Sequence, residues 1–431
     1  MKAVVTNRIY LDFREDLYNR ISEELTYKIP SKMHGQPPKI IKLYSTIGKG
    51  LVISIPSGRL DLIPKDYEII DKRVRVPAEF PPFGFTLRED QQKIYDQVTG
   101  SCLVNANPSW GKTFTAIAIA SKLKQKTLVI VHTVALRDQW VSEVKKTLGF
   151  TPGIIGSGAF NIKESLTISN IQTVRKHANA LKDDFGTIIV DEVHHAPSKI
   201  FADTLNIFRS LNKIGLSGTL KRKDFMHVVL TDYFSPDIYI APKNNQMDPT
   251  IHIYKTGIPF SSNPMTPWAF KVNELVERRE YKDLVYGLAK SYAERGHKVL
   301  VIGDRTEFLN IGGEECDNSV VITGEVKTSP ERNELLRQVR EDEKDIIFAA
   351  ISIFKEGISE DVLSCVILAA PVNNDPMLEQ IVGRVQRILK DKLPPIVVDL
   401  VLQGDTARRQ GYARAVFYAK MGWDCKLIEM N

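Results

Sequence analysis

The stretch Ala106-Asn107-Pro108-Ser109-Trp110-Gly111-Lys112-Thr113 constrains this chain more than any other. It follows an apolar run, Cys102-Leu103-Val104, which predicts a buried strand. It opens into Thr113-Phe114-Thr115-Ala116-Ile117-Ala118-Ile119-Ala120, which predicts a helix. A strand, a tight turn, Gly-Lys-Thr and a helix form an anion cradle, because the unpaired N–H groups and the dipole at a helix start both favour negative charge. In such a loop Ser109 and Gly111 line the turn, Lys112 reaches the β- and γ-phosphates of a nucleotide, and the Thr113 hydroxyl holds Mg²⁺. The loop departs from the generic pattern at Ala106, where a glycine is usual, and at Asn107, Pro108, Ser109 and Trp110.

At 431 residues the chain has room for more than one domain. No run of eighteen apolar residues occurs, so a membrane span is not expected. Asn7, Arg8 and Asp12 interrupt the N-terminal apolar run too early for a signal peptide. The four cysteines, at 102, 316, 365 and 425, lack Cys-x-x-Cys spacing and suggest reduced, buried thiols in a cytoplasm. The net charge is only +6, but its distribution is uneven. Residues 1–84 hold fourteen Lys or Arg against ten Asp or Glu. From Lys28 through Lys32, Lys39, Lys42 and Lys49 to Arg59 no acidic residue intervenes, which suits either a phosphate backbone or a plain solvated face.

Residues 1–84 read as a small α/β domain, with strands at 50–55 and 59–63 around a Pro-Ser-Gly turn and a Pro-rich linker at 77–84. Over 85–240 apolar runs at 101–105, 127–132, 166–170, 187–191 and 213–217 alternate with helical patterns, the rhythm of a parallel α/β sheet. Residues 241–275 read as a connector with one strand at 250–255. Alternation resumes over 276–431, with strands at 298–302, 319–322, 345–349, 364–368 and 396–400 and helices at 278–294, 330–341 and 375–389.

The run Thr187-Ile188-Ile189-Val190 ends in Asp191-Glu192-Val193-His194. A carboxylate closing such a strand holds the Mg²⁺ shell in phosphate-loop folds, the role expected of Asp191. Glu192 is placed to deprotonate the attacking water. No further ligand is spaced to make His194 and His195 a metal site.

With both motifs in order, the chain resembles the superfamily 2 helicases and translocases over most of residues 85–431. Leu87-Arg88-Glu89-Asp90-Gln91 resembles the adenine-reading motif, which implies base contacts for Arg88 and Gln91. Leu216-Ser217-Gly218-Thr219 resembles the motif that couples hydrolysis to movement, giving coupling roles to Ser217 and Thr219 and, from the preceding motif, to His194. In the second half, Phe354-Lys355-Glu356-Gly357-Ile358 is similar to a further motif with Gly357 near the nucleotide, although Ala350 stands where Thr is common. Gln380-Ile381-Val382-Gly383-Arg384-Val385-Gln386-Arg387 resembles the Q-x-x-G-R-x-x-R motif. Gln380 then contacts nucleotide, and Arg384 and Arg387, expected on one helix face at i, i+3, act as arginine fingers.

The resemblance implies two tandem RecA-like motor domains, a small N-terminal α/β accessory domain, and the cofactors ATP and Mg²⁺. Leu136-Arg137-Asp138-Gln139-Trp140 and Gly218-Thr219-Leu220-Lys221-Arg222-Lys223 narrow it to DNA translocases, and to phage recombination and branch-migration helicases of the UvsW type. Strand phosphates would then meet Thr133, Arg137, Asn170, Gln172 and Thr323, with Lys39, Lys42 and Lys49 gripping duplex arms. Asn170 and Gln172 equally suit strand-end caps, and Trp140 suits the core better than base stacking, a role open to Trp268.

The expected substrate is forked or junction DNA, and the expected particle is a monomer in the cytoplasm of a bacterial or phage-infected cell. Residues 1–84 are expected to be separable from a motor that still hydrolyses ATP. Two alternatives stand beside this reading: an RNA helicase or non-separating duplex translocase, and a non-hydrolysing DNA-binding or annealing module.

Overall fold

The apolar runs become strands where β-branched residues can be buried on both faces, as parallel sheets require. In the computed structural model the described residues are all of 1–431 except 31–36, 108–109, 194–198, 219–225, 243–245, 327–328, 352–359, 373–374 and 429–431. The chain forms two units, Met1–Pro242 and Lys243–Asn431.

The first unit is built on an eight-stranded sheet. Its order is Ala159–Asn161, Gly153–Gly156, Leu166–Asn170, Thr127–Val131, Thr187–Val190, Asn212–Ser217, Cys102–Asn105 and Ile238–Ile240. Every pairing is parallel except the first. Helices Lys112–Leu123, Val134–Leu148 and Ile171–Leu181 follow three of these strands. Local chemistry sets the ends of the second helix. Thr133 Oγ1 accepts from the Leu136 N–H at 3.2 Å at its start, and Gly149, at φ 71°, stops it in the left-handed region.

The N-terminal segment of this unit has its own five-stranded sheet, ordered Ser45–Ile47, Val52–Pro56, Arg8–Asp12, Lys2–Val5 and Glu68–Asp71. Its core gathers Ile9, Leu11, Ile21, Ile53 and Ile55. The strand expected at 59–63 is instead a 3-10 turn, Leu60–Leu62. Its preceding residues are drawn onto the larger sheet's side of the unit: the Gly58 N–H donates to the Asp232 carbonyl at 3.0 Å. The Pro-rich 77–84 stretch is strapped down as well, since the Ala78 N–H donates to Lys124 O and the Gly84 N–H to Thr147 O.

The second unit holds a seven-stranded, wholly parallel sheet. Its order is Ser319–Ile322, Ile346–Ala350, Val299–Gly303, Cys365–Leu368, Ile396–Gln403, Thr250–Pro259 and Asp424–Ile428. The strand expected at 250–255 within the 241–275 stretch is present as Thr250–Pro259, and it pairs on both sides in this sheet. Cys102, Cys316 and Cys365 are buried as expected, whereas Cys425, on the edge strand, is exposed. Among the described residues no helix is long and apolar enough to cross a membrane.

Candidate nucleotide site and nucleic-acid face

Parallel strands deliver their C-terminal ends to one edge of the sheet, where ligands of open α/β sheets bind. In the first unit that edge carries, in spatial order, Asn170, Thr133 beyond Val131, Asp191 directly after Val190, Ser217, and the loop after Asn105. Residues scattered through the sequence therefore meet on one rim. Ser109, His194, Thr219 and, in the second unit, Gly357 lie outside the described residues.

The loop is tied to its neighbour by a backbone bond from Ala106 N–H to Ser217 O at 2.9 Å. Trp110, bulky for such a loop, acts as a peg. It is buried, its Nε1–H donates to Asp90 Oδ2 at 2.6 Å, and its carbonyl accepts from Arg88 Nη2 at 2.6 Å and Gln91 Nε2 at 2.9 Å. Arg88 and Gln91, read as base contacts, are here engaged in fixing the loop. The next residue must be glycine: Gly111 sits at φ 92°, and a Cβ there would lie 2.6 Å from Gln91 Nε2. Lys112 opens the helix, and its Nζ donates to the Ala106 carbonyl at 3.0 Å. Thr113 follows, half-buried, in the first turn.

Asp191 is buried, and two neutral donors among the described residues bond it. Trp140 Nε1–H donates to Oδ2 at 2.8 Å, and the Glu192 N–H donates to Oδ1 at 2.9 Å. Burial first, then the charge of Glu192, push its pKa up to about 6, while Trp140 and the Lys112 charge pull the other way. Glu192 itself holds φ 52°, a left-handed conformation that costs a non-glycine residue free energy and persists where the surroundings enforce it. A buried carboxylate at a strand end, a lysine charge acting on it and a glycine-opened helix start fit a Mg²⁺-bound nucleotide. Among the described residues no cluster of three or more His, Cys, Asp or Glu forms a separate metal site.

The positions expected to grip strand phosphates differ in access. Gln172 is exposed and Thr133 half-buried. Arg137 is buried and donates to Asp138 Oδ1 at 3.0 Å and Ser157 Oγ at 2.8 Å. Asn170 is buried at the start of its helix without a side-chain cap bond. Thr323, in the second unit, is buried and its Oγ1 accepts from the Glu325 N–H at 3.4 Å. Lys39, Lys42 and Lys49 are exposed. Arg59 does not belong with them. It lies between Glu24, Asp61 and the wholly buried Asp232, with 3.0 Å from Nη1 to Asp232 Oδ1. Tyr27 OH donates to the other oxygen of Asp232 at 2.7 Å.

In the second unit Gln380 and Arg384 lie, half-buried, on the helix Asp375–Val385. The expectation that Arg384 and Arg387 share a helix face fails, because the helix ends at Val385. The backbone then bonds elsewhere: Gln386 O accepts from the Met247 N–H, and Arg387 forms a β-bridge with Gln246. The Arg387 guanidinium donates to Asp361.

Sequence reasoning missed the Trp140–Asp191 bond and the Arg59–Tyr27–Asp232 cluster. The one available signal was that a buried tryptophan needs an acceptor for its N–H.

Residues 84–222 match the family model for the res subunit of type III restriction enzymes, and residues 280–389 match the conserved C-terminal helicase domain. A probable helicase of Escherichia phage T5 is 42% identical over 438 residues, covering 100% of this chain and 96% of that protein. A protein of Acanthamoeba polyphaga mimivirus, named provisionally as an ATP-dependent RNA helicase, is 26% identical over 97% of this chain and 84% of its own length. Among solved structures, a Vibrio vulnificus fragment described as the HsdR subunit of a type I restriction enzyme shares the fold. It aligns with a TM-score of 0.58 at 18% identity over 81% of this chain and 70% of that one.

Proposed function

The chain belongs to the superfamily 2 helicases, with a phage helicase among its relatives, and on that premise we propose that it is an ATP-dependent DNA helicase acting on forks and junctions. The observation that carries the reading is the convergence of Gly111, Lys112, Thr113 and the cation-seeking Asp191 on one sheet edge. Bound Mg·ATP supplies the γ-phosphoryl group whose transfer to water drives movement. Lys112 and the helix N-terminus bind its phosphates, and Thr113 and Asp191 hold the metal. Glu192 accepts a proton from the attacking water at its carboxylate. Arg384 and Arg387 stabilise the charge of the transferring group, with Gly357 and Gln380 beside the nucleotide.

The division of labour follows the sequence: 85–240 binds ATP, 276–431 is the second motor half, and 1–84 engages duplex arms through Lys39, Lys42 and Lys49. Thr133, Arg137, Asn170, Gln172 and Thr323 attend the tracked strand, and Ser217, Thr219 and His194 link hydrolysis to movement. The protein works as a monomer in the host cytoplasm.

The deciding experiment measures ATP hydrolysis by the purified chain alone and with single-stranded, forked and four-way-junction DNA and with RNA, followed by strand displacement. Branched DNA should stimulate most. Stimulation by RNA alone, the reading that the mimivirus relative's name favours, overturns the DNA assignment; absence of hydrolysis overturns the enzyme.

A further inference from the structure

The geometry points to Trp140 as a positioning residue that sets the orientation of the Asp191 carboxylate for its cation. The inference rests on the proposed function, and it starts from a bond rather than from a motif. Trp140 is fully buried, and its Nε1–H meets Asp191 Oδ2 at 2.8 Å. The Glu192 N–H meets the other oxygen at 2.9 Å. With one donor on each oxygen, the carboxylate plane cannot turn without breaking a bond, yet each oxygen retains acceptor capacity for a metal. Neither donor is charged, so both orient the group without neutralising it.

Trp140 is itself well anchored. It sits on the helix Val134–Leu148, within the same core cluster as Val129, Val144 and Ile168. A site is held to its working geometry when the residue behind it is locked by packing. Partners of this kind behind a metal ligand are worth 10–100-fold in metal affinity. A tryptophan that merely fills the core would also find an acceptor, but nothing in filling a core requires that acceptor to be the carboxylate that closes the strand Thr187–Val190.

Trp140→Phe keeps an aromatic ring and removes the N–H. Calorimetric titration of Mg²⁺ into the protein saturated with a non-hydrolysable ATP analogue should show affinity for Mg²⁺ falling roughly 10–100-fold. Binding of the metal-free analogue should change little. A folded Trp140→Phe protein with wild-type Mg²⁺ affinity overturns the inference while leaving the proposed function standing. A wild-type protein that binds neither analogue nor Mg²⁺ removes both.

If Trp140→Phe does not fold, the full chain labelled with 5-fluorotryptophan serves instead. Its Trp140 resonance is the one retained in Trp110→Phe, Trp268→Phe and Trp423→Phe alike. That resonance should move when Mg²⁺ is added to the analogue complex, and an unmoved resonance overturns the inference.

Discussion

Each unit buries a carboxylate on a strand of its parallel sheet or at that strand's end, and the two are treated in opposite ways. Asp399, within Ile396–Gln403, receives Arg414 Nε at 2.9 Å, Arg414 Nη2 at 2.7 Å and Tyr418 OH at 2.9 Å. Its charge is cancelled by a side chain from the helix Asp405–Met421. Asp191 has an indole and a backbone N–H, and burial raises its pKa.

An isolated buried charge is costly unless a counter-charge meets it, so Asp399 is complete within the fold, while Asp191, bonded by neutral donors among the described residues, suits the proposed cation. The loops repeat the contrast. After Asn105 the chain presents Gly111 and a lysine. After Gly303 it presents Asp304 and Arg305, with Arg305 turned onto Asp304, Asn273 and Ala269 O. One architecture thus carries the proposed nucleotide site in one unit and internal ion pairs in the other, because function resides in the residues grafted onto the fold.

The comparison can be broken in four ways. Glu192→Gln should lower hydrolysis by roughly 10²–10⁴-fold without loss of nucleotide binding. Asp399→Asn, in whatever fraction folds, should leave the rate per folded molecule unchanged. Equal losses of specific rate in steady-state assays would erase the distinction.

Arg414→Ala should cost about 3–5 kcal/mol in chemical denaturation, since Asp399 is then buried without a counter-charge. Pairing Arg414→Met with Asp399→Leu should recover most of it. A small loss for Arg414→Ala alone would place Asp399 in the same class as Asp191.

Asp191→Asn, measured in chelator, should gain Tm relative to the wild type as pH rises from 4 to 8. The sign follows from the raised pKa: the wild-type group gives its full stability below the ordinary carboxylate range and loses it as pH rises through about 6. Asparagine has no such loss, but its NH2 faces one of the two N–H donors, so the variant starts below the wild type at pH 4 and the gap narrows above pH 7. A Tm difference that stays constant between pH 4 and pH 8 would show that the charge is already compensated. Arg305→Ala, at a partly exposed pair, should change stability by no more than about 1 kcal/mol and create no nucleotide binding. A larger effect would make that loop more than a surface clasp.

Strands were readable wherever β-branched residues run unbroken, as in Leu128-Val129-Ile130-Val131, and the Gly111-Lys112-Thr113 turn announced its own geometry. What stayed hidden was non-local. Nothing near Trp140 names Asp191, and nothing near Arg59 names Asp232, because side-chain partners brought together by folding leave no local period. Local pattern also misled at the end of Asp375–Val385. Ile388 and Leu389 continue an apolar rhythm, but both are exposed, and the backbone there pairs with Gln246 instead. The strand expected at 250–255 is present but runs on to Pro259, because an edge-adjacent strand with polar residues, such as His252 and Lys255, has a weak period yet pairs fully.

The Arg59 cluster has a consequence for modularity. Asp232 is sealed by Arg59 and Tyr27, and the buried Lys213, its pKa driven down to about 7 by burial and by the nearby charges of Arg73 and Arg8, donates to Ser57 Oγ at 2.9 Å. All of those partners lie within residues 1–84. A motor excised at residue 85 would bare an acid and an amine that the intact chain has already accommodated. Loss of hydrolysis in such a fragment would therefore report a damaged fold and not a missing DNA grip. Within this chain the N-terminal segment is part of the first unit's charge balance, through Arg59 and Tyr27 on Asp232 and Ser57 on Lys213.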